Sequence, residues 1–214
     1  MGKSNYNNNV FINCPFDEQF IPILRAFTFT VLDCGFVPRC SLEIDDATDF
    51  LLRSIIDLIR DCRYGIHDLS RVELDPTSRL PRFNMPFELG IFYSAKHYGG
   101  VNHKKKRSIV LEKNKYRYQK FISDIAGIDV TAHNNSVKGS ILAIRNWLVT
   151  TSRRQSIPPG DEIDRRYKQF HRDLKKICKL QGRNYNSMPF VEMTRNMSDW
   201  LSLNQLVHKP LFSK

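Results

Sequence analysis

Short apolar runs alternate with longer stretches in which apolar residues recur every three or four positions, and the alternation persists from residue 10 to residue 151. The runs at Val10–Asn13, Phe36–Pro38, Arg63–Asp68, Arg107–Glu112 and Gly127–Ala132 have the length and composition of strands. Helical spacing fills the intervals at Asp17–Asp33, Thr48–Asp61, Asn84–Tyr98, Tyr116–Asp124 and Ser136–Thr151. A strand that waits for a helix before the next strand pairs in parallel through a right-handed crossover, which places helices on both faces of the sheet. The expected fold is therefore α/β, a flavodoxin-like five-stranded parallel sheet over residues 8–151. At 214 residues, with 41% hydrophobic and 26% charged side chains, the chain can bury one large core and is neither disordered nor a disulfide miniprotein.

Past residue 151 the pattern changes. Ser152–Gly160 reads as a linker, and residues 161–214 as a C-terminal helical extension. Ile163, Tyr167, Phe170, Leu174 and Ile177 make one apolar stripe, with Arg165, Arg166, Lys168, Arg172, Lys175, Lys176 and Lys179 on the remaining faces. A second helix is expected over Pro189–Leu201. A helical pair this small needs a surface to cover its stripe, either the α/β domain or another subunit, so a homo-oligomer or a partner protein is expected through these helices. The formal charge of +11 is unevenly spread. Residues 1–100 carry 10 Lys/Arg against 13 Asp/Glu, a net −3, and residues 101–214 carry 23 against 9, a net +14. A basic half suits a nucleic acid, but solvated helix faces account for it more simply.

Several classes are disfavoured. No window approaches about 18 uninterrupted apolar residues and the first residues lack an apolar signal core, so a membrane role is not expected and the cytoplasm is the expected location. The five cysteines form no C-x-x-C pair and join no histidine at zinc spacing, so reduced thiols and no metal or other cofactor are expected. No G-x-G-x-x-G follows the first strand and no P-loop is present, which argues against hydride and phosphoryl transfer.

Open α/β sheets bind ligands beyond the carboxyl ends of their strands, where strand order reverses. That edge collects Asn13, Cys14 and Phe16 after the first strand, Arg39 after the second, Asp68, Ser70 and Arg71 after the third, and Arg82, Asn84 and Glu88 around the start of the next helix. Asn84 is a candidate N-cap, with Phe87, Ile91 and Ala95 as the buried stripe of that helix. Glu88 then lies about one turn in, where the positive helix end favours an ionised carboxylate. Asp68 ends an apolar strand and needs a partner or an opening to water. Two carboxylates facing a glycosidic carbon suit cleavage through an oxocarbenium-like transition state. Ser70 has no His or Lys base beside it in sequence and reads as a ligand contact or cap. Arg39, Arg71, Arg79 and Arg82 suit a phosphate.

FINCPF at 11–16, GFVPR at 35–39, YGIHDLS at 64–70 and FNMPFELG at 83–90 resemble bacterial TIR-like proteins, which are related to the nucleoside 2-deoxyribosyltransferase-like group. The likeness spans roughly residues 8–150. It implies that Glu88 is the catalytic carboxylate for N-glycosidic cleavage, that Asp68 matches the carboxylate preceding it in the deoxyribosyltransferases, and that Ser70 matches the strand-end serine of TIR domains. The tryptophan-cysteine pair common before the TIR glutamate is replaced by Asn84-Met85-Pro86-Phe87. The resemblance implies an N-glycosidase acting on NAD or a related nucleotide in antiphage defence, often activated by assembly; in that reading Glu88 is catalytic, Asp68 and Asn13 position the ribose, Arg39, Arg71 and Arg82 hold phosphate, and Phe16, Ser70 and Asn84 contact the substrate. The alternatives are a nucleotide sensor without catalysis, signalling through the C-terminal helices, and a nucleic-acid-binding module.

Overall fold

The computed structural model describes residues 5–44, 50–71, 82–115, 117–120, 122–125 and 127–205. Arg79, the first residues of the helix expected from Thr48, Tyr116 and the tail from residue 206 lie outside the described residues. Five strands, β1 (Asn9–Asn13), β2 (Val37–Arg39), β3 (Tyr64–Asp68), β4 (Arg107–Glu112) and β5 (Val130–Ala132), form one parallel sheet in the order β2-β1-β3-β4-β5. This is the flavodoxin-like order.

Both faces are covered. Along β1, Val10 and Ile12 pack into the core shared with α1 (Ile21–Asp33) and α4 (Val137–Ser152), while Phe11 points the other way, to α2 (Leu51–Arg60) and α3 (Asn84–Tyr98). A strand buried on both faces reads as an unbroken apolar run. Gly35 ends the α1 turn with φ of 78°, a conformation that a side chain would strain. At the opposite end of the sheet, the buried Lys106 ammonium donates to the carbonyls of Ile59 and Cys62 and so ties β4 to the end of α2. Burial pulls its pKa down to about 8.

Between β4 and β5 the chain makes two short 3-10 turns, Arg117–Lys120 and Ser123–Ile125, rather than the helix expected over Tyr116–Asp124. In α3 the buried stripe is Met85, Leu89 and Phe92, not the expected Phe87, Ile91 and Ala95. Phe87 is 55% exposed, because the inward face of α3 is the one that meets Leu69, Phe11 and Val110 of the sheet.

The C-terminal helices α5 (Gly160–Leu180) and α6 (Phe190–Gln205) form a third layer on α1. Phe170 and Tyr167 set their rings 5.6 Å and 5.4 Å from Phe29, and Trp200 lies 6.1 Å from the same ring. This explains why α1 is buried nearly all round: it has the sheet on one side and α5 and α6 on the other. The stripe, expected to be covered either by the α/β domain or by another subunit, is covered by the α/β domain. Two residues of α5 differ from their expected placement. Ile177 is 46% exposed with Cys178 turned inward, and Arg166 is buried in an ion pair with Asp33 rather than on a solvated face. The segment read as a linker is fastened down, with Ile157 buried and Arg154 stacked 3.9 Å over Phe36 while donating to the Gly35 carbonyl and Asn8. Among the described residues no helix is long and apolar enough to cross a membrane.

Candidate active site

The strand order reverses between β1 and β3, whose following helices leave to opposite faces of the sheet. A cleft of about 790 Å³ opens there. Its walls are the loop after β1 (Asn13–Asp17), the 3-10 turn Ser41–Glu43 through Ser41 and Leu42, Leu51 and Ile55 of α2, and the start of α3 from Arg82 to Glu88. Of the residues expected at the site, Asn13, Phe16, Arg82, Asn84 and Glu88 line it. Asp17 and Ser41 line it as well and were not anticipated.

Glu88 is half-buried, and among the described residues no side chain or backbone group bonds its carboxylate. Burial pushes its pKa up to about 7. Burial thus opposes the helix end, which was expected to keep it ionised. The dipole's influence fades within the first turn, and Glu88 lies beyond that with no donor to replace water. Asn84 is not the cap either. It is the first helical residue, and Phe83 precedes it with no side-chain bond to the helix. What fastens this end of α3 is Asn13, whose amide donates to the Met85 carbonyl at 2.8 Å. Cys14 is buried, and its thiol pKa is raised well above the usual value by burial, then by Cys40 and by the carboxylates of Asp68, Glu88 and Asp17, which disfavours the nucleophilic thiolate.

Asp68 does not reach the cleft wall. It is fully buried, with Oδ1 accepting from the Ser70 backbone N–H at 2.9 Å and Oδ2 from His133 Nε2 at 3.0 Å. An apolar strand end demanded a partner for this carboxylate, and His133, just past β5, supplies it. The same Nε2 lies 3.0 Å from Ser70 Oγ, so the fold brings a histidine beside that serine from 63 residues away in the chain. It is not a catalytic triad. Asn135 N–H donates to His133 Nδ1, which places the ring proton on Nε2, where it faces both Asp68 and Ser70 and leaves no lone pair to take the serine proton. Arg117 closes the cluster, bonding Glu112 and the Ser70 carbonyl. Ser70→Ala should accordingly leave any turnover of the cleft within a few-fold of wild type, measured as base released per enzyme. A loss comparable to that of a catalytic group would restore Ser70 as a nucleophile.

The arginines separate too. Arg39 holds Glu43 at 2.7 Å and lies outside the cleft lining. Arg71 bonds Asp17 and Gln19, also outside the lining. Arg82 lines the cleft and lies 3.5 Å from Asp17. Asp17, which also accepts from the Phe20 N–H ahead of α1, is therefore the anion around which Arg71 and Arg82 gather. Comparison of the chain with protein-family models, with curated proteins and with solved structures finds no match in any of the three.

Proposed function

We propose that the chain is a TIR-like N-glycosidase that cleaves the bond between base and ribose of NAD or a related nucleotide, in the service of antiphage defence. The observation that carries this reading is the Glu88 carboxylate: half-buried, without a bonding partner among the described residues, and facing a cleft at the reversal point of a parallel sheet. An unpaired carboxylate in such a place is costly unless a ligand brings it a cation. The pyridinium of NAD and the oxocarbenium carbon that forms as the base departs both do so. As the C–N bond breaks, its electron pair leaves with the nicotinamide, which becomes neutral and needs no proton. Glu88 stabilises or traps the cationic sugar carbon, and water then adds there and gives up a proton. Phe16 and Phe83, both exposed at the cleft, offer rings to the base. The test is incubation of the purified chain with NAD and a nucleotide panel, followed by chromatography for free base.

Arg82 is the phosphate contact in this reading. Arg82→Ala should weaken NAD binding by about 1 to 3 kcal/mol, the loss of one charge-assisted bond, while Arg39→Ala should bind as wild type because its guanidinium serves Glu43. Calorimetry showing equal affinities for both variants would return Arg82 to a surface role.

A nucleotide sensor is the second reading, and Leu42 favours it. That residue lines the cleft and also a cavity of about 120 Å³ whose other walls include Phe190 and Met193 of α6. A ligand that displaces Leu42 would be felt by the C-terminal helices. Binding without base release under any condition selects this reading over the first.

A further inference from the structure

Asn13 offers the cleft a hydrogen-bonding atom of one kind only. Its side-chain nitrogen donates to the Met85 carbonyl at 2.8 Å and lies 3.1 Å from His67 Nδ1. An amide nitrogen has two hydrogens, and these two bonds use both. A flipped amide would set its oxygen against the Met85 carbonyl, two acceptors face to face in a buried place, so the orientation is fixed. His67 completes the lock. It is fully buried between Phe11 and Phe92, and burial with the nearby Lys106 holds its pKa down at about 3, so the ring is neutral and accepts at Nδ1.

The remaining polar atom is Oδ1. Asn13 is only 3% exposed, yet it lines the same cleft as Glu88, and among the described residues no donor reaches that oxygen. The amide also grips the turn of α3 that carries Glu88 three residues further on. A rigid neutral acceptor therefore shares the cleft with the carboxylate, and among the described residues no donor satisfies it. A sugar hydroxyl is the complementary group. When Glu88 faces the anomeric carbon, the nearest hydroxyl is the one on the adjacent carbon, present in ribose and absent from deoxyribose.

We infer that Asn13 is the specificity-determining acceptor of the cleft, its Oδ1 binding the ribose 2′-hydroxyl, so that the ligand is a ribosyl rather than a deoxyribosyl compound. The inference rests on the N-glycosidic reading of the same cleft. His67, which does not line the cleft, is a positioning residue that acts through Asn13.

The probes are NAD and its analogue carrying 2′-deoxyribose on the nicotinamide side. The quantity read is the ratio of kcat/KM for the two, compared between wild type and variants, so that the differing intrinsic reactivity of the sugars cancels. Asn13→Ala should shift that ratio against NAD by about 10-fold, the worth of one buried hydrogen bond. His67→Leu should shift it in the same sense by less, since Met85 still holds the amide. A structural role alone predicts that both probes slow equally, and an unchanged ratio in both variants overturns the inference while leaving the glycosidase reading intact. If wild type binds NAD without cleaving it, the glycosidase reading fails and the same ratio taken on Kd decides the role of Asn13. If neither probe binds wild type, both readings fall. Should Asn13→Ala not fold, His67→Leu carries the test.

Discussion

Glu88→Gln is expected to lower base release from NAD by about 100-fold or more and, in the same protein, to raise stability at pH 8. Both effects come from one charge. The amide keeps the shape of the side chain but cannot stabilise a developing cation on the sugar. It also relieves the folded state of a carboxylate that burial disfavours, pushing its pKa from 4.5 to about 7. Below about pH 4.5 the group is protonated whether the chain is folded or not, and it contributes nothing. Between that pH and about 7 the unfolded chain ionises while the folded one holds its proton, so wild-type stability declines as pH rises. Above about 7 the full cost is present, on the order of 2 kcal/mol once the solvent reaching a half-buried carboxylate is allowed for.

Denaturant titrations of wild type and variant at pH 4 and pH 8 read this directly. The two curves should coincide at the lower pH and separate at the higher, with the variant the more stable. Turnover should show the complementary profile, rising through pH 7 as the carboxylate ionises, and the variant should have no such rise. Undiminished turnover in the folded variant removes Glu88 from the chemistry. Equal stability at both pH values would mean that the carboxylate is well solvated, and the argument from an unpaired buried acid would go with it.

The parallel sheet was legible because each strand had to be a short apolar run with turn residues at its ends, and its order follows from the crossovers between strands. Gly35 and the start of α3 at Asn84 were legible for the same local reasons. Which side of α3 faces the sheet was not. Phe87, Ile91 and Ala95 are as well spaced as Met85, Leu89 and Phe92, and only the position of β1 and β4 decides between the two stripes. The cleft residues at strand ends were found by topology, Asn13, Phe16, Arg82, Asn84 and Glu88 among them. Asp17 was missed because it belongs to the turn before α1, and His133 because its partner Asp68 is 65 residues away in the chain. A residue directly after β5 belongs to the same carboxyl edge, so the topological rule that selected Asp68 could have selected His133 too. The arginines misled because a count of cations near a cleft says nothing of the anions already paired with them. Glu43 and Asp17 were in the sequence, and pairing them with Arg39 and Arg71 required the fold.

The basic C-terminal half is where the remaining readings give opposite outcomes, and Phe170→Asp is the variant with the largest expected structural effect. Phe170 is 1% exposed, stacked against Phe29 of α1 and 5.9 Å from Trp200 of α6. Removing the ring alone from such a place costs about 3 to 5 kcal/mol, and an unpaired carboxylate in its stead costs more. That is most of the stability of an ordinary domain, so the variant should be unfolded or insoluble at 37 °C. Because α5 and α6 share one core with α1 and the sheet, the loss should take the whole chain with it, seen as a single collapsed thermal transition rather than as release of a folded α/β domain. Lys175→Glu with Lys179→Glu should behave in the opposite way. Both side chains are on the exposed side of α5, with Lys175 5.2 Å from the Tyr185 ring, so the melting temperature and the turnover should remain near wild type. A nucleic-acid-binding role predicts instead that this double reversal abolishes a tight association whose logarithm falls with the logarithm of salt by about 0.9 per phosphate contacted. The fold argues against that outcome. Tyr167 and Phe170, the rings that a stacking platform would need beside those cations, point into the core, Arg166 is committed to Asp33, and Lys168 to Asp164. Salt-sensitive DNA binding lost on charge reversal would outweigh these placements and make the basic face, rather than the cleft, the functional surface of the protein.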